Sequence, residues 1–107
     1  MERARAVDPS ANPLVADLMS ALALARMRLG KREEALKLSS EAVAIAAKAY
    51  PPNHASAGAI LLNHALILRS LHRKDEARIS EARAREILSR VSPNAARYTV
   101  DRRALSR

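Results

Sequence analysis

Apolar residues recur at spacings of three and four in four separate stretches of the chain, which is the period of an amphipathic helix. The pattern predicts helices over about residues 13–29, 32–49, 55–71 and 74–89. Ala and Leu are strong helix formers and make up most of these apolar positions. The sequence therefore predicts an all-α chain.

The first predicted helix is apolar on more than one side. Its main row is Leu14, Val15, Leu18, Met19, Leu22, Ala25 and Leu29, and Leu24 and Met27 add a second side. We therefore expect neighbouring helices to cover it on more than one face. Asn12 is a suitable N-cap, Pro13 fits the first helical position, and Gly30 fits the end of the helix.

The second and fourth predicted helices are expected to pack through narrower stripes. In the second helix the stripe is Ala35, Leu38, Ala42, Ile45, Ala46 and Ala49. In the fourth it is Ala77, Ala84, Ile87 and Leu88, with Ile79 and Val91 as further candidates. Ser39 and Glu81 take one equivalent inward-facing position. The polar outer face of the fourth helix suits the closing element of an array.

The turn between the first and second predicted helices occurs twice in the sequence. Residues 29–35 (LGKREEA) return as residues 71–77 (LHRKDEA), so that each residue number increases by 42. We call this increase the repeat offset. It also relates Ala23 to Ala65, Leu24 to Leu66, Ala42 to Ala84, Ile45 to Ile87, and Pro9 to Pro51 and Pro93. A fixed period of this length indicates repeated helical hairpins.

The repeat divides residues 1–91 into units at about 12–50 and 54–91, with a partial preceding unit at 1–8 and a tail at 92–107. Because the chain begins in the middle of a unit, we expect it to be the C-terminal end of a longer array. Tyr98, Thr99 and Val100 favour an extended tail. A short capping helix over residues 97–106 remains the alternative.

These features resemble the tetratricopeptide repeat of the kinesin-light-chain type. The residues that carry the resemblance are Gly30-Lys31-Arg32-Glu33-Glu34-Ala35, Pro52-Asn53-His54, Leu61 with Asn63, and Ala42 with Ile45. The sequence departs from the family pattern where His72 replaces a turn glycine and where Arg26 and Leu68 replace a tyrosine. Ser39 and Glu81 also replace a bulky apolar residue.

The resemblance implies an α-solenoid of two antiparallel helical hairpins, with the first helix of each unit lining a concave groove. Such a groove holds a peptide or a partner helix, and asparagines on it can bond a peptide backbone. The implied binding residues are Asp17, Ser20, Leu24, Met27, Arg28, Leu62, Asn63, Leu66, Arg69 and Ser70. Asn63 equally suits a hydrogen bond to a neighbouring helix.

The sequence offers no pattern of catalytic or cofactor chemistry. It has no cysteine and only two glycines, so it holds neither a thiolate metal site nor a glycine-rich phosphate loop. His54, His64 and His72 have no carboxylate at ligand spacing, so we interpret them as joint or helix-surface residues. We expect no enzyme activity, no metal and no cofactor.

A protein or peptide partner is the main functional prediction. Arg28 and Arg69 would favour an acidic peptide, and the exposed first helix makes self-association a further expectation. The net charge of +8 and the tail arginines Arg97, Arg102, Arg103 and Arg107 support the alternative of electrostatic nucleic-acid binding. No membrane span or signal segment is evident, and a cytoplasmic location is expected.

Overall fold

Four helices make up the computed structural model, which describes residues 8–91. After a 3-10 turn, Pro9–Ala11, come α1 (Pro13–Arg28), α2 (Arg32–Ala49), α3 (Ala55–Ser70) and α4 (Lys74–Val91). The predicted all-α fold is confirmed, and no strand occurs in the described part of the chain. The predictions for residues 1–7 and for the tail at 92–107 lie outside the described residues.

Side-chain caps explain where two of the helices begin. The Asn12 side-chain oxygen accepts a hydrogen bond of 2.9 Å from the Leu14 N–H at the start of α1. His54 does the same for α3, since its Nδ1 accepts from the Ser56 N–H at 3.0 Å. Each cap satisfies a donor that has no partner within the helix. His54 is therefore a structural residue of the joint between the two units.

The two hairpin turns, which are related by the repeat offset, have the same hydrogen bonds. In the first, the Lys31 N–H donates to the Arg26 carbonyl and the Gly30 N–H to the Met27 carbonyl, both at 2.9 Å. In the second, the N–H groups of Arg73 and His72 donate in the same way at 2.9 Å. This is a Schellman motif, and its C′ residue has positive φ. That residue is Gly30 (φ 85°) in one turn and His72 (φ 63°) in the other.

The unequal turn residues give the first testable prediction. Gly30→Ala should lower the free energy of unfolding by about 1 kcal/mol, because a Cβ is unfavourable at positive φ. No neighbouring atom lies within 4 Å of the added Cβ, so the cost is conformational alone. His72→Gly should raise stability by about 0.5 kcal/mol, since the greater unfolded-state entropy of glycine offsets part of the gain. Urea unfolding of the two variants should show opposite shifts; shifts of the same sign would contradict this account of the turns.

Small residues let the helices approach closely. Within the hairpins α1 packs on α2 and α3 on α4, while α2 also contacts α3 and joins the two hairpins. Fully buried alanines lie at these contacts: Ala16, Ala23, Ala35, Ala42, Ala65, Ala77 and Ala84. At Gly58 in α3, an added Cβ would lie 2.9 Å from Cγ of Leu88 in α4. A side chain at position 58 would therefore require Leu88 to shift, and glycine avoids this.

Two predictions about the core were wrong. Leu14, Leu18, Leu22 and Leu29 were expected under neighbouring helices, but they are 63%, 61%, 43% and 69% exposed. The buried face of α1 consists instead of Ala16, Ser20 and Ala23. Ile79 of α4 is 64% exposed, although it was a candidate for packing. Small residues lie at the contacts because they permit a short distance between helix axes, which leaves the larger leucines outside.

The equivalent positions of Ser39 and Glu81 differ in environment. Ser39 is 1% exposed and lies between the first and second hairpins. Glu81 occurs in the last described helix, where it is half-buried and bonded to Arg69. The difference follows from position in the array, because α3 follows α2 and covers this face of it, whereas no described helix follows α4 to cover the equivalent face.

Candidate interaction surfaces on the first helices

The ten residues implied by the resemblance lie on α1 and α3, but they differ in accessibility. Asp17, Arg28, Leu62, Leu66 and Arg69 are exposed. Leu24, Met27, Asn63 and Ser70 are half-buried, and Ser20 is buried. The exposed members can contact a partner directly, whereas Ser20 can act only through its neighbours.

Asn63 forms a hydrogen bond to the neighbouring first helix. Its Nδ2 donates to Oγ of the buried Ser20 at 2.9 Å and so links α3 to α1. This contact uses one amide N–H and leaves the side-chain carbonyl of Asn63 available to accept. The bond also fixes the orientation of the half-buried amide on the surface of α3.

Two positions near the end of each first helix are partly buried in α1 but exposed to solvent in α3. Leu24 and Met27 pack against the core cluster of Ala23, Ala35 and Ile67, which includes a residue of α3. Their counterparts at the repeat offset, Leu66 and Arg69, are exposed. The open face of α3 is therefore the face that a following helix would cover in a longer stack. Leu62 and Leu66, 37% and 51% exposed, form its apolar part.

Arg69 is already paired with a carboxylate. Its Nε and one terminal nitrogen donate to the two Glu81 oxygens at 2.7 and 2.8 Å, a bidentate contact between α3 and α4. The hydrogen bond to Arg69 lowers the pKa of Glu81, and the same bond raises the pKa of Arg69. Arg28 has no carboxylate partner among residues 8–91. Of the two predicted acid-binding arginines, Arg28 thus has the more available charge.

Asp17 is held at the joint between the units. Its Oδ2 accepts a hydrogen bond of 2.8 Å from the Tyr50 hydroxyl, at the end of α2. Tyr50 also stacks on His54 with ring centroids 4.5 Å apart. Partial burial, followed by the bond to Asp17, raises the pKa of the Tyr50 hydroxyl. The contacts of Tyr50 therefore position a carboxylate on the exposed side of α1.

His64 has a structural role between the hairpins. Its Nδ1 lies 2.7 Å from the Ser39 hydroxyl, which is also 3.1 Å from the Leu36 carbonyl. Both contacts are satisfied when Ser39 donates to the carbonyl and accepts from the Nδ1–H of His64. Desolvation by burial lowers the pKa of His64; among smaller effects, the Glu76 charge opposes this shift and the Arg73 charge adds to it.

The lowered pKa of His64 predicts loss of stability in acid. The unfolded chain protonates His64 at its ordinary pKa of about 6.5, and the folded chain only at lower pH. The unfolded state therefore binds more protons as the pH falls below about 6.5, and the free energy of unfolding decreases until the folded-state pKa is passed. Thermal unfolding between pH 7 and pH 5 should show this decrease.

His64→Asn should remove that part of the pH dependence, since its amide can still reach Ser39 but does not titrate. His72→Asn is the control, because Asn tolerates positive φ and His72 is exposed in the turn. It should keep the part of the pH dependence that His64 contributes. An unchanged acid slope in His64→Asn would contradict the role given to His64.

Other kinds of site are poorly supported by the described residues. No three His, Asp or Glu side chains come together as metal ligands within residues 8–91. No helix in that range is long and apolar enough to cross a bilayer. A cavity of about 260 Å³ opens between α2, the joint at 50–54, the start of α3, and Arg83 and Ile87 of α4. It is smaller than most small-molecule sites, which occupy roughly 300–1,000 Å³.

Sequence reasoning did not predict that the leucines of α1 form one exposed apolar surface. We call Leu14, Leu18, Leu22 and Leu29 the leucine row; all four are on α1 or its C-cap and all are exposed. The repeat offset was the only signal in the sequence that could have found this surface. It pairs the four leucines with Ser56, Ile60, His64 and Leu71 of the second unit. Ile60 is 3% exposed because it packs on core residues of α2, the helix before α3, and no described helix takes that place before α1.

The fold and its surfaces define an α-solenoid of stacked helical hairpins that presents its first helices to solvent. A family model described as tetratricopeptide repeat matches residues 14–90. The chain belongs to the tetratricopeptide repeat family, whose repeats are generally protein–protein interaction modules. Neither curated proteins nor solved structures gave a significant match.

Proposed function

We propose that this chain binds a peptide or a helix of a partner protein along α1 and α3. The main supporting observation is the open face of α3, which combines the exposed Leu62 and Leu66 with the oriented amide of Asn63. Apolar anchors beside a fixed hydrogen-bonding group are what a peptide site needs. The length of the repeat offset supports placing the repeats with the kinesin-light-chain type.

The contribution of each residue to binding follows from its contacts. Leu66 would pack against an apolar side chain of the partner, and the Asn63 carbonyl would accept a backbone N–H. Arg28 would contact a carboxylate, because Arg69 is already paired with Glu81. We therefore expect a moderate preference for acidic peptides that depends on Arg28 alone, although the sequence had suggested that Arg28 and Arg69 would share this role.

Nucleic-acid binding has less support. Five arginines of the described residues pair with carboxylates, which reduces the positive potential around them: Arg26, Arg69, Arg73, Arg78 and Arg90. The tail arginines on which that alternative rests lie outside the described residues. We do not propose this function.

The experiment is selection of a random peptide library displayed on phage against the full chain. Enriched peptides should bind in solution and lose at least tenfold in affinity to Leu66→Asp, because a carboxylate would have to be desolvated at the apolar contact. Ile79→Asp is the matched control: Ile79 is 64% exposed on α4, so the same chemical change occurs away from the proposed site. Equal loss in both variants, or no enrichment, would count against the proposal.

Arg28→Gln tests the charge preference separately. Affinity for enriched acidic peptides should fall, while affinity for neutral ones should stay the same. If the acidic peptides bind this variant as well as the original chain, Arg28 does not select them.

A further inference from the structure

The leucine row occupies a face that the architecture covers wherever a preceding hairpin is present. In the second unit, α2 covers the equivalent face of α3. Ile60 packs with Ala42 and Ala46, His64 bonds Ser39, and Ile67 packs with Ala35. Their counterparts in the first unit are Leu18, Leu22 and Ala25, all exposed. The row is therefore a stacking face without a partner in the described chain.

The other end of this molecule cannot cover the row in a second copy. The residues of α2 that face α3 include Leu36, Ser39 and Val43. The repeat offset places Arg78, Glu81 and Arg85 at the equivalent positions of α4. Placing these charges on leucines would require their desolvation. Head-to-tail stacking of copies is thus unfavourable.

The row is, however, complementary to itself in an antiparallel pair. Leu14 lies eight residues before Leu22 and Leu29 seven after it, so a twofold axis near Leu22 places Leu14 against Leu29 of the other copy. The same axis places Leu18 against the exposed Ala25. Each leucine would lose water contact, and a twofold interface is the commonest arrangement of homo-oligomers.

The charges beside the row also match in that arrangement. Asp17 lies five residues before Leu22 and Arg28 six after it. The eleven residues between them correspond to about three turns, so both lie on the same side of α1. A twofold axis preserves that side, which brings Asp17 of each copy beside Arg28 of the other. The two opposite charges would thus fix the register of the pair.

We propose that α1 is a self-association surface, in which the leucine row of one copy packs antiparallel on the leucine row of a second. The contact involves one helix per copy and is smaller than standard interfaces of roughly 800 Å² per partner. A reversible dimer in the micromolar range or weaker is therefore expected. The leucine row does not include Leu66 of the proposed peptide contact, whereas Arg28 takes part in both proposals.

The test is sedimentation equilibrium of the full chain from micromolar to millimolar concentration. The original chain should show a concentration-dependent dimer, and Leu18→Glu should raise its Kd at least tenfold. Ile79→Glu is the matched control, because Leu18 and Ile79 are 61% and 64% exposed. It should dimerise like the original chain, and circular dichroism should show both variants folded. A chain that stays monomeric at millimolar concentration, or that dimerises equally with Leu18→Glu, overturns the proposal.

A charge exchange tests the antiparallel register. Arg28→Asp should weaken the dimer, because Asp17 of each copy would then face the new carboxylate at position 28 of the other copy. Adding Asp17→Arg in the same chain restores opposite charges across the interface and should recover most of the lost affinity. If the double variant is weaker than Arg28→Asp alone, this register is wrong. The Tyr50 bond to Asp17 is lost in that variant, so its folding is checked by circular dichroism.

Discussion

Leu68→Ala should destabilise the chain by about 3 kcal/mol, because truncating a buried leucine removes apolar contacts and leaves a cavity that the neighbouring helices fill only in part. Leu68 is 2% exposed and packs with Ala65 and Ala77, with Leu36 of the first unit against the same cluster. Because small domains have total stabilities of only roughly 5–15 kcal/mol, a loss of this size is a substantial share.

Leu66→Ala is the control for that result. It makes the same chemical change two residues earlier in the same helix, at a side chain that is 51% exposed. The helix propensity change is identical, so the difference between the two variants isolates burial. Leu66→Ala should cost less than about 1 kcal/mol in urea unfolding. Similar losses in both variants would mean that the two leucines are not on opposite sides of α3.

Ala42→Leu should destabilise the chain by about 2 kcal/mol, although leucine is larger and more apolar, because overpacking of a tight core typically costs about 1–3 kcal/mol. Ala42 is fully buried in the cluster with Ala16 of α1 and Ile60 of α3, so both hairpins contact it. The extra atoms have no space unless the helices separate. The core is thus limited by the distance between helices, not by a lack of apolar volume.

Ala44→Leu is the matched variant, because Ala44 lies two residues later on the exposed side of α2. Ala and Leu have similar helix propensity, so this change should alter stability by less than about 0.5 kcal/mol. Thermal or urea unfolding of both variants gives the comparison. A stabilising effect of Ala42→Leu would show that the hairpins are loosely packed at their joint.

The helices and turns could be predicted because their signals are local. Asn12 and Pro13 mark the start of α1, Gly30 marks its end, and the second turn repeats the first at a fixed offset. The bond pattern at Gly30 and His72 shows that the turn geometry is the same even where the residue changes. Such signals depend on a few neighbouring residues, so no knowledge of tertiary packing was needed.

The buried face of α1 could not be predicted, since this helix is apolar almost all round. The larger leucines were the natural choice for the core, but Ala16, Ser20 and Ala23 form it. What decides the choice is the close approach of α2, which only small side chains permit. The missing information was the distance between two helices, and periodicity within one helix does not contain it.

The candidate site was predictable in its helices but not in its contacts. The repeat placed Asn63 and Arg69 on a first helix, and their positions there agree with the structure. The bond from Asn63 to Ser20 and the pairing of Arg69 with Glu81 join different helices. No sequence spacing indicates these partners, and they determine which polar groups remain available to bind.

Single-cysteine labelling tests most directly the central claim that equivalent positions differ only through their place in the stack. The chain has no cysteine, so each introduced thiol reports on one position. At protein concentrations low enough to keep copies apart, Leu18→Cys should react with a maleimide much faster than Ile60→Cys, its counterpart at the repeat offset. Leu66→Cys should likewise react faster than Leu24→Cys. Equal rates within each pair would contradict stacked hairpins with open faces on α1 and α3.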